Sequence, residues 1–387
     1  MDQTVSTGTT ETAAREAGNI FRGLVLLLAL ALLSACGGRP ETRVIYPHPQ
    51  ALTDQKTVTV YVATSREQAS PPVKGFTTGR SGELSYAAFT IAIPPNHVPG
   101  QIEWPYSAIP HPETEFTVVK HVMMTRAAFD SAVNAEAKAS GRASLFVHGF
   151  NVNFQEGVFR LAQLTADTDV SGVPVLFSWP SQGRLLDYVT DKDSATFSRD
   201  GLTDVLGQMT RLSNVRSVTL FGHSMGGWLT MEALRQLALK GDRAALKKLN
   251  VILAAPDIDE DVFNAQLDVV GPLSPPLLVM VSADDRALQA SSLIQGNHVR
   301  AGQLDITDPE VVAKAREKNV LLLDISSVSS SDALNHSRYV NLAAIYPQLE
   351  DVDEATSPLR SAGALIFNTV GNTISAPFTL AGEALSQ

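Results

Sequence analysis

The chain has 387 residues, 44% of them hydrophobic and 18% charged, with a formal net charge of −10. That length carries a sizeable core in one α/β domain or two. The acidic balance, with no basic run interleaved with aromatics, argues against nucleic acid as a partner.

Near the start, Gly23 to Leu33 (GLVLLLALALL) is an apolar run behind Arg15 and Arg22, closed by Ser34, Ala35 and Cys36. The run suits a signal-peptide core and is short of the ~20 residues that span a bilayer. Cys36 is the single cysteine, which excludes an internal disulfide framework. The stretch LSAC resembles the lipobox of bacterial lipoproteins. That resemblance implies cleavage before Cys36, lipidation of its thiol and, with Gly37 rather than aspartate next, an outer-membrane anchor facing the periplasm. Residues 1–14 depart from a short basic leader, being Thr-rich and carrying Asp2 and Glu11. Residues 1–35 are therefore expected to be a signal peptide. Residues 36–56, with Pro40, Pro47 and Pro49 and no apolar period, are expected to be an extended tether.

From Thr57 the pattern becomes regular. Val58, Val60 and Val62 alternate as in a half-buried strand, as do Phe89, Ile91 and Ile93. These predict leading antiparallel strands, followed by a helix over 126–139. Strands are then expected at 144–147, 173–177, 215–221, 251–254, 276–281 and 319–325. Helices are expected between them, at 154–166, 198–212 and 286–294. Such alternation implies right-handed crossovers and a mostly parallel sheet covered by helices on both faces. The domain should cover 57–352. The tail, 353–387, carries Ile366, Val370 and Ile374 on one helical face and is expected to dock on the domain.

Functional groups collect at the carboxyl ends of strands in such a sheet. Residues 218–227, VTLFGHSMGG, read as a strand, a sharp turn and a helix, with Ser224 between Gly222 and Gly226. The glycines remove side chains that would collide across the turn, and the Met225 N–H points where an oxyanion would form. The competing reading is a glycine-rich turn whose serine caps the helix.

Asp285 follows the strand PPLLVMV, and His336 lies in the polar loop DALNHSR. The order Ser224, Asp285, His336 is a serine–acid–histidine order, in which His336 takes the serine proton and the carboxylate fixes its tautomer. Asp285 also reads as the N-cap of the next helix, and His336 as a loop cap. Asp284, Asp257 and Asp259 remain alternatives for the acid. In LFVHGFN, Gly149 lets the Phe150 N–H approach a substrate carbonyl as a second oxyanion donor. His148 and His223 read better as structural histidines. The polar stretch from Pro180 to Asp200 either borders the acyl pocket, with Tyr188 reaching it, or is a solvated loop.

With these pieces in place the chain resembles the α/β-hydrolases, and more narrowly an esterase/lipase-like branch of bacterial envelopes. The matching stretches are VYVATSR, IPPNHVPGQIEWP, LFVHGFNVNFQEGVFRLAQL, LFSWPSQG, FGHSMGG, ILAAPDID, SADDRALQAS with VRAG, and NHSRY, spanning most of 57–346. The resemblance implies an α/β-hydrolase fold with nucleophile, acid and histidine at Ser224, Asp285 and His336. The expected activity is hydrolysis of a small-molecule or lipid-like carboxylic ester through an acyl-enzyme. No metal or organic cofactor is expected: zinc-type His and Cys spacing and a glycine-rich dinucleotide or phosphate loop are both missing from the sequence. The alternatives are thioester or amide cleavage by the same residues, or a non-catalytic envelope lipoprotein that uses the fold for binding.

Overall fold

The computed structural model describes residues 39–48, 55–71, 75–106, 109–168 and 172–349. The expected signal peptide, Cys36 and the tail 353–387 lie outside the described residues. Nine strands form one sheet: β1 (Thr57–Gln68), β2 (Phe76–Ala92), β3 (Thr117–Met124), β4 (Arg142–Val147), β5 (Val173–Ser178), β6 (Ser217–His223), β7 (Leu249–Ala254), β8 (Leu277–Val281) and β9 (Val320–Asp324). Their order across the sheet is β3-β2-β1-β5-β4-β6-β7-β8-β9. β2 runs antiparallel to both neighbours, and every pair from β1–β5 to β8–β9 is parallel. This is the α/β-hydrolase type of sheet, mostly parallel behind leading antiparallel strands.

Helices cover both faces because the strands are apolar on both. β5 and β7 are buried throughout, as parallel strands sandwiched by helices must be. Leu145, Val147, Val175 and Phe177 point to one core, shared with α1 (Arg126–Glu136), α3 (Tyr188–Arg211), α4 (Met225–Leu239), the short α5 (Arg243–Leu246) and α6 (Glu260–Val270). Phe146, Leu176, Ile252 and Met280 point the other way, to α2 (Phe154–Thr168) and α9 (Arg338–Leu349). Two further helices, α7 (Arg286–Ile294) and α8 (Pro309–Glu317), follow β8 and precede β9. Side chains at their N-termini satisfy backbone N–H groups: Thr125 accepts from Ala128, Asp259 from Val262, Asp285 from Leu288 and Asp308 from Glu310.

Three segments differ from the sequence expectations. Residues 42–45, expected as tether, form a 3₁₀ turn whose Val44 and Ile45 are buried in the second core. β3 adds an edge strand where none was expected. Helix α3 begins at Tyr188, ten residues before the expected start at 198, because its buried face carries Asp191, Ser194 and Ser198 in its first turns.

Candidate active site

Ser224 stands between β6 and α4 with φ 54° and ψ −124°, a conformation that L-residues adopt only when their surroundings force it. Its amide donates to Ala254 O at 2.9 Å, and its carbonyl accepts from Gly227 N (2.9 Å) and Asp257 N (3.1 Å). The turn is pressed against the end of β4. A Cβ on Gly226 would lie 2.4 Å from the carbonyl oxygens of Val147 and His148, and one on Gly222 would lie 2.6 Å from Thr230 Oγ1. Both glycines are there for close approach. Gly149 serves the same end from the opposite side, since a Cβ there would meet Ser224 Cβ at 3.0 Å. The Gly149–Phe150 segment therefore borders the serine.

His336 Nδ1 donates to Asp285 Oδ2 at 2.7 Å. Asp285 is fully buried, and its Oδ1 accepts from Leu288 N at 2.9 Å, so it also caps α7. One carboxylate oxygen makes the helix cap and the other meets the imidazole. The His336 loop is shaped by Asp332, which accepts from the amides of His336 (3.2 Å) and Ser337 (2.6 Å). Burial disfavours the imidazolium, but the Asp285 hydrogen bond and the charges of Asp285, Asp332 and Asp257 outweigh it and raise the His336 pKa above 6.5.

His336 meets the serine turn through its neighbour. The rings of His336 and His223 lie 4.7 Å apart, and His223 Nε2 faces the His336 carbonyl at 3.3 Å. Burial, then the nearby His336, hold His223 well below the usual histidine range. It is neutral and donates to that carbonyl. The Ser224 hydroxyl makes no hydrogen bond to a described residue; serine–histidine bonds in unliganded sites are commonly long and close only around substrate.

The other carboxylates are engaged elsewhere. Asp284 Oδ2 accepts from Arg338 Nη2 (2.6 Å) and Asn335 Nδ2 (2.9 Å). Buried Asp257 accepts from Tyr188 OH (2.6 Å) and Ser291 Oγ (2.5 Å), with Arg300 Nε at 3.7 Å. Asp259 caps α6. With Asp261 and His298 it forms a surface group whose ligand atoms lie within 4.8 Å of one another, part of a solvated helix N-terminus.

His148 is structural in its contacts. Nδ1 donates to Gly149 O (2.9 Å), Nε2 faces Ser178 Oγ (3.4 Å), and the ring stacks on Trp179. Burial, with the Arg66 charge beside it, pushes its pKa down to about 3. Arg66 itself escaped sequence reasoning. Its buried guanidinium donates to Ser178 Oγ (3.0 Å), Ser181 O (3.1 Å) and Val152 O (3.0 Å), tying together the loops after β4 and β5. Asp191 joins the same loops from α3, accepting from Ser181 Oγ (2.5 Å) and Gln182 N (2.7 Å). Tyr188, flagged in the sequence, packs edge-on against Phe150 with ring centroids 5.2 Å apart. The 180–200 segment thus borders the candidate oxyanion loop.

Residues 125–352 match the model of a family described as alpha/beta hydrolase of unknown function (DUF900). The chain belongs to that family. No curated protein matches this α/β-hydrolase. Among solved structures it is similar to a protein assigned as a hydrolase from Agrobacterium vitis S4 (13% identity, 70% of this chain and 97% of that one, TM-score 0.31). ESTFA in its iron-lacking apo form is comparable (13% identity, 84% and 91%, TM-score 0.32). So is a lipase-esterase related protein from Clostridium acetobutylicum ATCC 824 (16% identity, 52% and 82%, TM-score 0.24). Likenesses this distant carry no argument about substrate or chemistry.

Proposed function

We propose that this α/β-hydrolase is a serine hydrolase that cleaves carboxylic esters, with Ser224 as nucleophile, His336 as general base and Asp285 as its orienting acid. The observation that carries the reading is the 2.7 Å bond from His336 Nδ1 to Asp285 Oδ2, on a loop packed against the strained turn of Ser224. With the Nδ1 proton committed to Asp285, the lone pair of Nε2 is available to a hydroxyl. Ser224 Oγ attacks the ester carbonyl as its proton passes to His336 Nε2. The amides of Met225 and Phe150 receive the oxyanion; neither donates to another backbone carbonyl outside helices and strands. His336 then protonates the departing alkoxide, and water, deprotonated by the same nitrogen, releases the acid from the acyl-serine. Thioesters and amides would pass through the same intermediate, thioesters needing the least protonation of the leaving group and amides the most.

The reading includes placement in the bacterial envelope through a lipid on Cys36, supported by the apolar run and LSAC stretch before it. A fluorophosphonate probe tests the chemistry. The wild-type protein should label and hydrolyse chromogenic acyl esters, and Ser224→Ala should do neither, with turnover down by about 10⁶. Folded wild-type protein that takes up no probe would turn the reading toward a binding module.

A further inference from the structure

We propose that the rim around Ser224 is a lipid-contacting surface, so that the ester substrate is an acyl lipid presented by a membrane rather than a solute. This rests on the hydrolase reading above and names its substrate class. Several of the most exposed large apolar side chains among the described residues stand on three segments at the carboxyl-end edge of the sheet. Leu185, Leu186 and Val189 flank Tyr188, Leu293 and Ile294 end α7, and Leu334 precedes His336 by two residues. Leu186 is 92% exposed and Leu293 72%, which leaves them without a packing role in the domain.

The segments are tied together. The Tyr188 hydroxyl lies 3.0 Å from Ser291 Oγ and accepts from Gln295 Nε2, so the 185–189 segment abuts the end of α7. The start of α7 holds the third, through Arg286 N to Leu334 O at 2.9 Å. The same helix begins at Asp285, the partner of His336, and Tyr188 packs on Phe150. The exposed apolar side chains therefore stand on segments that adjoin the candidate site. Exposed apolar area of this kind marks a binding surface. A folded protein seated there would close the mouth, whereas a lipid surface covers the apolar groups and delivers substrate through it.

Residues 42–45 pack near the carboxyl end of β1, and the His48 amide donates to Val118 O at the level of its amino end. Ile45 packs beside Gly75 and Phe154, and the next residue, Phe76, pairs with Gln68 at the carboxyl end of β1. Phe154 opens the helix that follows the Gly149–Phe150 loop. Five residues separate Cys36 from Thr42, a reach of at most about 20 Å. A lipid on Cys36 would keep the domain within that reach of a bilayer.

The test uses the full chain with Cys36→Ser and a single new cysteine, Leu186→Cys, labelled with an environment-sensitive nitrobenzoxadiazole. The control is Leu239→Cys, exposed at the end of α4 on the opposite edge. Vesicles of phosphatidylcholine and phosphatidylglycerol, with and without brominated acyl chains, are added to each. The label at 186 should shift to the blue and be quenched by the bromolipid, and the label at 239 should do neither. A label at 186 that stays water-like on vesicle-bound protein overturns the proposal. So does a blue shift without vesicles that grows with protein concentration, since a second copy then covers the rim. This readout needs no turnover and is independent of the hydrolase reading. In an active protein, Leu186→Asp with Ile294→Asp should cost tenfold or more on a long-chain ester in vesicles, and leave a dissolved butyrate ester unaffected. Equal losses on both esters, or none on either, count against it.

Discussion

Asp285 divides its carboxylate between two partners, Oδ1 holding the Leu288 amide at 2.9 Å and Oδ2 holding His336 Nδ1 at 2.7 Å. The helix cap fixes the carboxylate, and the carboxylate fixes the imidazole. Asp285→Asn separates the two duties. The amide oxygen still caps α7, so stability should change little. The amide nitrogen then faces Nδ1, moving the ring proton to Nε2, where a proton cannot be accepted from Ser224. Turnover on a chromogenic ester should fall by about 10⁴. Asp284→Asn, whose partners are Arg338 and Asn335, should stay close to wild type. The reverse ranking would reassign the acid.

The pH profile follows from the same contact. His336 must be neutral to act as base, and its pKa is raised, the carboxylates outweighing the burial that lowers it. The acid limb of kcat/KM should therefore have its midpoint above 6.5, activity rising with pH through it. In Asp285→Asn the largest raising contribution is gone, leaving burial against the charges of Asp332 and Asp257 alone, so the limb of the residual activity should move to lower pH. An unmoved limb would assign it to another group.

Gly149 tests the loop across from the serine. A Cβ there would come within 3.0 Å of Ser224 Cβ and His223 Nδ1 and 3.2 Å of the His223 carbonyl. Part of that contact is backbone, so the loop or the serine turn must shift. The shift required is well under 1 Å, so Gly149→Ala should lower kcat by less than the ~10² that a 1 Å misplacement costs, and stability by about 1–3 kcal/mol. Gly82→Ala, with open space around it, should alter neither. Thermal unfolding alongside kcat distinguishes a displaced oxyanion donor from simple unfolding.

The Ser224 turn was legible because its chemistry is local: a strand, two glycines and a helix occupy ten consecutive residues. The carboxylate that meets His336 was legible only as a set. Asp284 and Asp285 are adjacent in sequence, and which one turns inward depends on β9 and the Asp332 loop, far along the chain. Helix α3 was half read for a different reason. Its first turns bury Asp191, Ser194 and Ser198 against Ser181, Arg80 and Ser65, so no apolar period marks them. Arg66 left no signal either, because a cation inside an apolar strand has meaning only once Ser178, Ser181 and Val152 surround it. Polar interiors were what the hydrophobic pattern could not report.

One such interior group makes stability depend on pH. His97 is held between two carboxylates, Nδ1 at 2.8 Å from Glu103 Oε2 and Nε2 at 2.6 Å from Asp167 Oδ1. Gly100 N also donates to Asp167, at 2.7 Å, so the cluster staples the 97–103 loop to the end of α2. Burial opposes the charged ring, but the hydrogen bonds and charges of Asp167 and Glu103 prevail and raise its pKa. A raised native pKa means the folded state holds the proton more tightly than the unfolded chain, whose histidine titrates near 6.5. The stabilisation is therefore complete below about pH 6.5 and is lost as pH climbs through the native pKa. His97→Gln keeps a polar side chain but removes the charge, and should destabilise by about 3 kcal/mol at pH 6. Denaturant unfolding of both proteins at pH 6 and pH 9 reads the difference, which should shrink at pH 9. An equal difference at both values would mean that His97 is neutral in the folded protein and acts through hydrogen bonds alone.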